Sequence, residues 1–143
     1  MIIKQISVFL ENRPGTLAQV LSVLGEHNIN LRAMSVADTA DFGILRLVVN
    51  EPDLVEQALK GAGLAVKTTP VLAMRVSDKP GGLLAEVQKL TAAGINIEYV
   101  YAFAAPAAEE ARVVLKVDDL AKAEQVMNGD KVADGGEGPN FYW

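Results

Sequence analysis

The feature that most constrains the fold of this chain is an internal repeat. The segment Asn12–Leu17, NRPGTL, is matched 66 residues later by Asp78–Leu83, DKPGGL. The apolar residues around both segments keep the spacing of 66. A later loop is two residues longer in the second half, so the spacing between Leu45–Val49 and Val113–Val117 is 68. Because one phase accounts for nearly the whole chain, the sequence predicts two copies of one structural unit.

Each copy has the pattern of alternating strands and helices. Ile6–Leu10 alternates as a strand with one apolar face does, and Leu17–Leu24 carries apolar residues at helical spacing. Pro14 suits the first turn of that helix. Asn28, and Gly94 in the second copy, suit its end. The other elements predicted for the first copy are strands over Leu31–Val36 and Gly43–Val49, a helix over Leu54–Lys60 and a strand over Leu64–Thr69.

The order βαββαβ predicts an α+β fold made of two tandem ferredoxin-like units. Two right-handed βαβ crossovers place two helices on one face of a four-stranded antiparallel sheet. The predicted boundaries are residues 1–69 for the first unit, 70–134 for the second and 135–143 for an aromatic tail. Units of this size have marginal cores. We therefore expect the copies, or two chains, to bury further surface together, at the helix-free face or at a sheet edge.

The composition excludes several classes of function. The 143 residues include one His and no Cys, and their formal net charge is −5. Scattered Lys and Arg in an acidic chain do not suit nucleic acid, and no apolar run reaches the ~18 residues of a membrane span. No Ser-His-Asp set, metal-ligand spacing or phosphate loop is present. We expect a cytoplasmic protein that is not an enzyme, with no metal, cofactor, nucleic-acid partner or membrane partner.

The repeated loop carries a resemblance to a known family. A strand, then Asn/Asp-x-Pro-Gly-x-Leu, then a helix ending in Gly/Asn-Ile-Asn-Ile/Leu resembles the ACT domain family. The two copies are NRPGTL…HNINL and DKPGGL…AGINI, in register over about residues 1–133. The arrangement resembles stand-alone tandem ACT proteins. It is also similar to the regulatory small subunits of branched-chain amino-acid synthesis, without their further C-terminal domain.

The resemblance implies regulatory binding of a small ligand, commonly an amino acid, where two ACT units meet. In the family, polar contacts come from an Asn in the loop and an Asn at the start of the second strand. Carried over, these are Asn12 and Asn30, and in the second copy Asp78 and Asn96. The remaining ligand-binding residues implied are Arg13, Gly15, Thr16, Leu17, Gly81, Gly82, Leu83 and Tyr99. A loop that enters a helix N-terminus offers N–H groups to a carboxylate, and an amide side chain suits a zwitterion.

Several of these residues also have purely structural interpretations. Asn12 and Asp78 could cap the helices that follow them. Asn30 and Asn96 could terminate the helices that precede them. His27, the single histidine, lies near a helix C-terminus, where a positive charge is favoured, and has no neighbours spaced as metal ligands.

The aromatic residues of the second copy leave two interpretations open. Tyr99, Tyr101 and Phe103 share one face of a strand. They could pack in a core or between domains, or they could form a wall against a bulky ligand side chain. The matching residues Ala33 and Ser35 are small, so the two candidate pockets are not expected to be equivalent.

Two functions follow from these observations. The first is an amino-acid sensor built from paired ACT domains, homodimeric or larger, with a free amino acid as its ligand. The second is a non-catalytic regulatory subunit that binds and controls an enzyme of amino-acid metabolism. The tail ends in Phe141–Trp143, and three aromatic residues suit docking on the chain itself, on a neighbouring subunit or on a partner.

Overall fold

The computed structural model describes residues 1–38, 40–105 and 109–128. Its strands and helices follow the predicted order. They are β1 (Ile2–Glu11), α1 (Thr16–Glu26), β2 (Leu31–Asp38), β3 (Phe42–Val49), α2 (Pro52–Gly61), β4 (Ala65–Ser77), α3 (Gly82–Ala92), β5 (Ile97–Ala105), β6 (Glu110–Val117) and α4 (Leu120–Asn128). The prediction of an α+β fold with two ferredoxin-like repeats is confirmed. The predicted tail and the last strand predicted for the second copy lie outside the described residues.

The first compact unit comprises Lys4–Thr69. Its strands are ordered β2-β3-β1-β4, and β3 pairs antiparallel with both β1 and β2. Helices α1 and α2 pack on one face of these strands, because the buried side chains of both helices belong to the same core as alternate strand residues. That core contains Ile6, Val8, Leu10, Val20, Leu24, Leu45, Leu47, Val49, Val55 and Leu59.

The second compact unit comprises Met1–Ile3 together with the chain from Pro70 onward. In it, β6 pairs antiparallel with β4 and β5. On the other side of β4, the Ala73 N–H donates to the Met1 carbonyl at 2.8 Å, and the Met1 amino group donates to the Ala73 carbonyl at 3.1 Å. By analogy with the first unit, Met1–Ile3 lies where this topology places a fourth strand. The core contains Leu72, Met74, Val76, Leu90, Ile95, Val113, Leu115, Val117, Ala123 and Met127.

Strand β4 joins the two repeats without a break. The sequence predicts one strand ending at Thr69 and a new one carrying Leu72, but Ala65–Ser77 is a single strand of 13 residues. The predicted interruption is wrong. Pro70 lies inside this strand, and its ring fixes φ near −65°, a value that extended backbone accepts. The proline therefore removes one hydrogen-bond donor without ending the strand.

The helices that follow the repeated loop begin one residue after a left-handed glycine. The N-cap residues are Gly15, with φ 92°, and Gly81, with φ 84°. The prediction that Pro14 lies in the first turn of α1 is wrong, because the proline precedes the N-cap. A positive φ turns the chain sharply between proline and helix, and glycine adopts it without steric cost.

The predicted helix ends are confirmed. Asn28 has φ 54° and Gly94 has φ 73°, the left-handed conformation that commonly follows a helix. In each copy the next residue, Ile29 or Ile95, donates its N–H back to a leucine carbonyl in the helix, at 2.9 and 3.0 Å. The chain therefore leaves both helices in the same direction, toward the second strand of each repeat.

The strand faces that point away from the helices are also buried near their centres. In β1, Gln5 and Ser7 alternate with the core residues and are buried polar side chains. Apolar residues on the same faces are buried too, namely Ala33 and Val48 in the first unit and Val71, Ala73 and Val114 in the second. The large exposed apolar side chains lie elsewhere, on helices α1, α2 and α3 and toward strand ends and sheet edges.

Candidate ligand site

The repeated loop is anchored by the same backbone contact in both copies. The N–H of Asn12 donates to the carbonyl of Asp41 at 2.9 Å, and the N–H of Asp78 donates to that of Glu109 at 3.1 Å. Each acceptor lies in the connection between the second and third strands of its repeat. The loop is therefore held at one end of the sheet, where the first strand stops and the first helix begins.

The start of the helix is supported differently in the two copies. In the first, the Thr16 hydroxyl lies 2.9 Å from the Glu11 carbonyl oxygen and 3.1 Å from that of Arg13. In the second, the residue at this place is Gly82, and a β-carbon there would overlap the Ser77 carbonyl oxygen. The exchange of threonine for glycine thus accompanies a closer approach of the helix to the preceding strand.

The capping interpretation of Asn12 and Asp78 is wrong. The N-caps are the two glycines, Gly15 and Gly81, which have no side chain to make a capping bond. The side chains of Asn12, Asp78 and Asn30 are exposed and form no hydrogen bond within the described residues. Because Asn28 and Gly94 terminate the helices, Asn30 is not needed for that purpose. These polar groups are therefore accessible to a ligand.

An open groove of about 430 Å³ lies beside the loop of the first unit, within the ~300–1,000 Å³ usual for small-molecule sites. Two phenylalanines in its wall are largely exposed, Phe9 by 48% and Phe42 by 56%. Its lining residues are Phe9, Leu10, Glu11, Arg13, Thr16, Gln19, Phe42, Gly63, Leu64 and Ala65. The groove thus combines an apolar wall with charged and amide groups.

The charged groups of the groove are paired with each other. Arg13 Nε donates to Glu11 Oε2 at 2.6 Å, and each side chain is 61% exposed. An ion pair that exposed contributes only ~0–1 kcal/mol, so a ligand can displace it at little cost. A ligand carboxylate can then take Arg13, and a ligand ammonium group can take Glu11.

The groove contains some of the predicted residues and omits others. It brings together Arg13 and Thr16 of the predicted set, whereas Asn12, Gly15, Leu17 and Asn30 do not line it. Phe9, Phe42 and Gln19 were not predicted. Because neighbouring strand residues face opposite sides of a sheet, Phe9 points away from the core that contains Leu10. The sequence could therefore have identified Phe9 as an outward-facing aromatic side chain. Nothing in the sequence indicates that Gly63–Ala65 closes the groove, because that contact depends on the pairing of β4.

The second unit contains a smaller cavity, of about 130 Å³, with room for roughly four waters at ~30 Å³ each. Its lining residues are Met1, Leu72, Ala73, Met74, Arg75, Glu86, Lys89 and Met127. None of Asp78, Gly81, Gly82, Leu83, Asn96 and Tyr99 lines it. The backbone of Asn96 is held by Asp118, whose Oδ1 accepts from the Asn96 N–H at 3.0 Å.

The tyrosines of β5 lie on the helix-free face of the second unit. Tyr99 is opposite Lys116 and Tyr101 opposite Val114, and both side chains are half-buried. Neither belongs to the core between strands and helices. A position on this face suits packing between domains as well as a wall against a ligand side chain, so both interpretations stay predictions.

No metal-binding cluster of three or more His, Cys, Asp or Glu residues occurs in residues 1–38, 40–105 and 109–128. The ring Nδ1 of His27 lies 3.0 Å from the Val23 carbonyl oxygen, at the C-terminal end of α1. Within the same residues, every helix is too short or too polar to span a membrane.

Comparison with known proteins identifies the family. The family described as an ACT domain pair matches residues 1–134. A protein of known crystal structure from Bacteroides thetaiotaomicron is 41% identical, with a TM-score of 0.86 over 90% of this chain and 88% of that one. The ligand-free regulatory subunit of aspartate kinase from Thermus thermophilus is 16% identical, with a TM-score of 0.64 over 90% of this chain and 96% of its own.

The corresponding subunit from Thermus flavus is 16% identical, with a TM-score of 0.62 over 90% of this chain and 94% of its own. At 16% sequence identity, these two structural similarities show that the fold is shared and nothing further. No curated protein matches the chain. The doubled loop, the two ferredoxin-like units and the match over 134 residues agree, and the chain belongs to the family of ACT domain pairs.

Proposed function

We propose that this protein is an amino-acid sensor whose ligand binds in the groove of the first unit. Paired ACT domains are typical of amino-acid-binding regulatory modules. The observation that carries the proposal is the exposed Arg13–Glu11 ion pair beside Phe9 and Phe42. A zwitterion with an apolar side chain needs a cation, an anion and an apolar wall within a few ångströms, and the groove supplies all three.

The chemistry of the groove suggests how the ligand would be oriented. The guanidinium of Arg13 can bind the α-carboxylate through two N–H groups, and Glu11 can accept from the α-ammonium group. The Asn12 amide, exposed and without an intramolecular partner in the described residues, offers a donor and an acceptor at the mouth of the loop. Phe9 and Phe42 then favour a large apolar or aromatic side chain over a small or acidic one.

A thermal-shift screen against the twenty amino acids tests this proposal. A ligand at ~100 times its Kd stabilises the protein by about 2.7 kcal/mol, so a binder is readily detected. Arg13→Ala should remove the shift. Lys79→Ala, the corresponding change in the second copy, is the matched control and should preserve it. If no amino acid shifts the transition at millimolar concentration, or if Arg13→Ala leaves the shift intact, the proposal fails.

We further propose that the protein is a homodimer associated through the first unit. Strand β2 lies at the edge of that unit and exposes Met34 and Val36, while α1 exposes Leu17 and Leu21. Apolar side chains beside an unpaired strand edge favour association. Sedimentation should show a dimer that Val36→Lys dissociates. Ala121→Lys, on the exposed surface of α4, should leave it dimeric, and a wild-type monomer would exclude the proposal.

A second candidate function is that of a non-catalytic regulatory subunit. It is supported by the likeness to aspartate kinase regulatory subunits, which extends over 96% of the Thermus thermophilus chain. The test is affinity capture from the source cell with the full chain and with a chain ending at residue 134. Specific recovery of one amino-acid-metabolism enzyme supports the proposal, and recovery lost with the tail assigns contact to residues 135–143. Recovery of no such enzyme by either chain excludes it.

A further inference from the structure

Two arginines lie directly opposite each other in the second unit. Arg75 of β4 pairs with Arg112 of β6 in the antiparallel ladder. Their neighbours Met74 and Val113 belong to the core, so the arginines are on the helix-free face. Like charges directly opposite each other on neighbouring strands are destabilising. The pair places two guanidinium-bearing side chains at neighbouring positions on one face of the sheet.

The first copy shows that the fold does not require charge at this place. The residues equivalent to Arg75 and Arg112 are Phe9 and Ile44, which are also paired directly opposite each other. An apolar cross-strand pair is thus compatible with the same register in the same topology. The two guanidinium groups are an addition specific to the second copy.

One of these arginines is incompletely satisfied. Within the described residues, Arg112 Nε is buried without a hydrogen-bond partner, and Arg112 forms no ion pair. Lys116, on the same strand, carries the same charge as Arg112, and the carboxylate of Glu98 pairs with Lys116 at 2.7 Å. In the described part of the chain, Glu110, two residues before Arg112 on the same face, makes no ion pair with it. A buried charged donor without a partner is costly, and such groups in native proteins call for an explanation.

We propose that Arg75 and Arg112 bind a compact oxyanion, a carboxylate or phosphate group of a small ligand. A guanidinium presents parallel N–H donors that match two oxygens of such a group. One anion beside the two guanidinium groups would satisfy Arg112 Nε. Arg75 is exposed and Arg112 half-buried, so the site is open to solvent on one side. This site is in the second unit and does not depend on the groove proposed above.

Nuclear magnetic resonance of the Arg112 Nε–Hε group is a direct test, with sodium phosphate and sodium succinate as probes. Sodium chloride at equal ionic strength is the control for screening. We expect a saturable shift of that resonance with at least one oxyanion and not with chloride. Comparison of the two probes distinguishes a phosphate site from a carboxylate site.

The first copy supplies the variants. Arg112→Ile and Arg75→Phe recreate the Phe9–Ile44 pair, so both should fold, and calorimetric titration should show affinity weakened by about tenfold or more. Arg112→Lys keeps the charge without the planar donors and should weaken binding less. Arg32→Ile, on the exposed edge strand β2, should bind as wild type does.

Two results would overturn the proposal. One is a wild-type protein that binds neither oxyanion more tightly than about 1 mM. The other is an Arg112→Ile variant that binds with unchanged affinity. Neither outcome affects the amino-acid screen, because Arg13 and the groove are unaltered in these variants.

Discussion

Gly82 occupies the most restricted position among the described glycines. A β-carbon there would overlap the Ser77 carbonyl oxygen and lie 3.1 Å from its carbonyl carbon. Both are backbone atoms, which cannot move away as a flexible side chain can. Alanine would have to push α3 off the end of β4, and such overpacking costs ~1–3 kcal/mol.

We therefore expect Gly82→Ala to lower the free energy of unfolding by about 2 kcal/mol, measured by urea denaturation. Gly25→Ala is the control, since that residue is inside α1 and a β-carbon there meets no atom within 4 Å. Alanine there should stabilise the protein by roughly 0.5–1 kcal/mol. Equal effects of the two substitutions would contradict the proposed close approach.

Glu56 connects α2 to β4 through its carboxylate. Lys60 Nζ donates to Oε1 at 2.7 Å, and Thr68 Oγ1 donates to Oε2 at 2.8 Å. These hydrogen bonds, first from Lys60 and then from Thr68, lower the pKa of Glu56 below its ordinary value of 4.5. A lowered pKa means that the folded state favours the charged form. The stabilisation is therefore present above pH 4.5 and is lost as the pH falls through the lower folded-state pKa.

Glu56→Gln should accordingly be less stable than wild type at pH 7, and the difference should shrink as the pH falls below 4.5. The measurement is urea denaturation of both proteins across that range. Glu26→Gln, at the exposed end of α1, provides a control without ion-pair partners in the described residues. A difference between wild type and Glu56→Gln that is independent of pH would show that the carboxylate charge does not matter.

Helix α1 shows what a periodic pattern can and cannot predict. The spacing of Leu17, Val20, Leu21 and Leu24 identifies a helix correctly, yet only Val20 and Leu24 are buried. Leu21 is 40% exposed and Leu24 only 4%. The period fixes which side chains share a face. How much of that face the sheet covers depends on where the helix packs across the strands, and no local pattern contains that information.

We expect Leu24→Ala to cost ~2–5 kcal/mol in unfolding free energy. Leu21→Ala should change it by less than about 1 kcal/mol in the monomer. Denaturation at low protein concentration compares the two, because dimerisation through α1 would add to the cost of Leu21→Ala. Similar costs for both variants at every concentration would mean that the whole apolar face is covered within one chain.

At the scale of the whole molecule, the repeat predicts the fold better than it predicts the boundaries of its parts. The spacing of NRPGTL and DKPGGL identifies both units and the order of their elements. It does not reveal that β4 runs unbroken through Pro70, because the repeat divides this strand between the two copies. It also cannot show that Met1–Ile3 belongs with the second unit. Both features arise from pairing between strands far apart in sequence, as does the closure of the groove by Gly63–Ala65.

The pairing of Met1 with Ala73 makes the start of the chain part of the second unit's sheet, and hydrogen exchange can test this. The Ala73 amide donates to the Met1 carbonyl at 2.8 Å, and Ile3 is buried. Deleting Ile2 and Ile3 joins Met1 directly to Lys4. Met1 then occupies the place of Ile3, and no carbonyl remains at the position that accepts from Ala73. The Ala73 amide should then exchange faster by at least about tenfold, the equivalent of ~1.4 kcal/mol, a typical value for one net hydrogen bond.

The amides between β4 and β6 provide the internal control. Leu72 is paired with Leu115 on the opposite side of β4, where the truncation removes no hydrogen-bond partner. Exchange there should slow or quicken only as the global stability changes. If Ala73 keeps its protection relative to Leu115 in the truncated chain, the first residues do not act as a strand of the second unit. If Ala73 alone loses protection, the first residues of the chain act as a strand beside β4 and complete the sheet of the second unit.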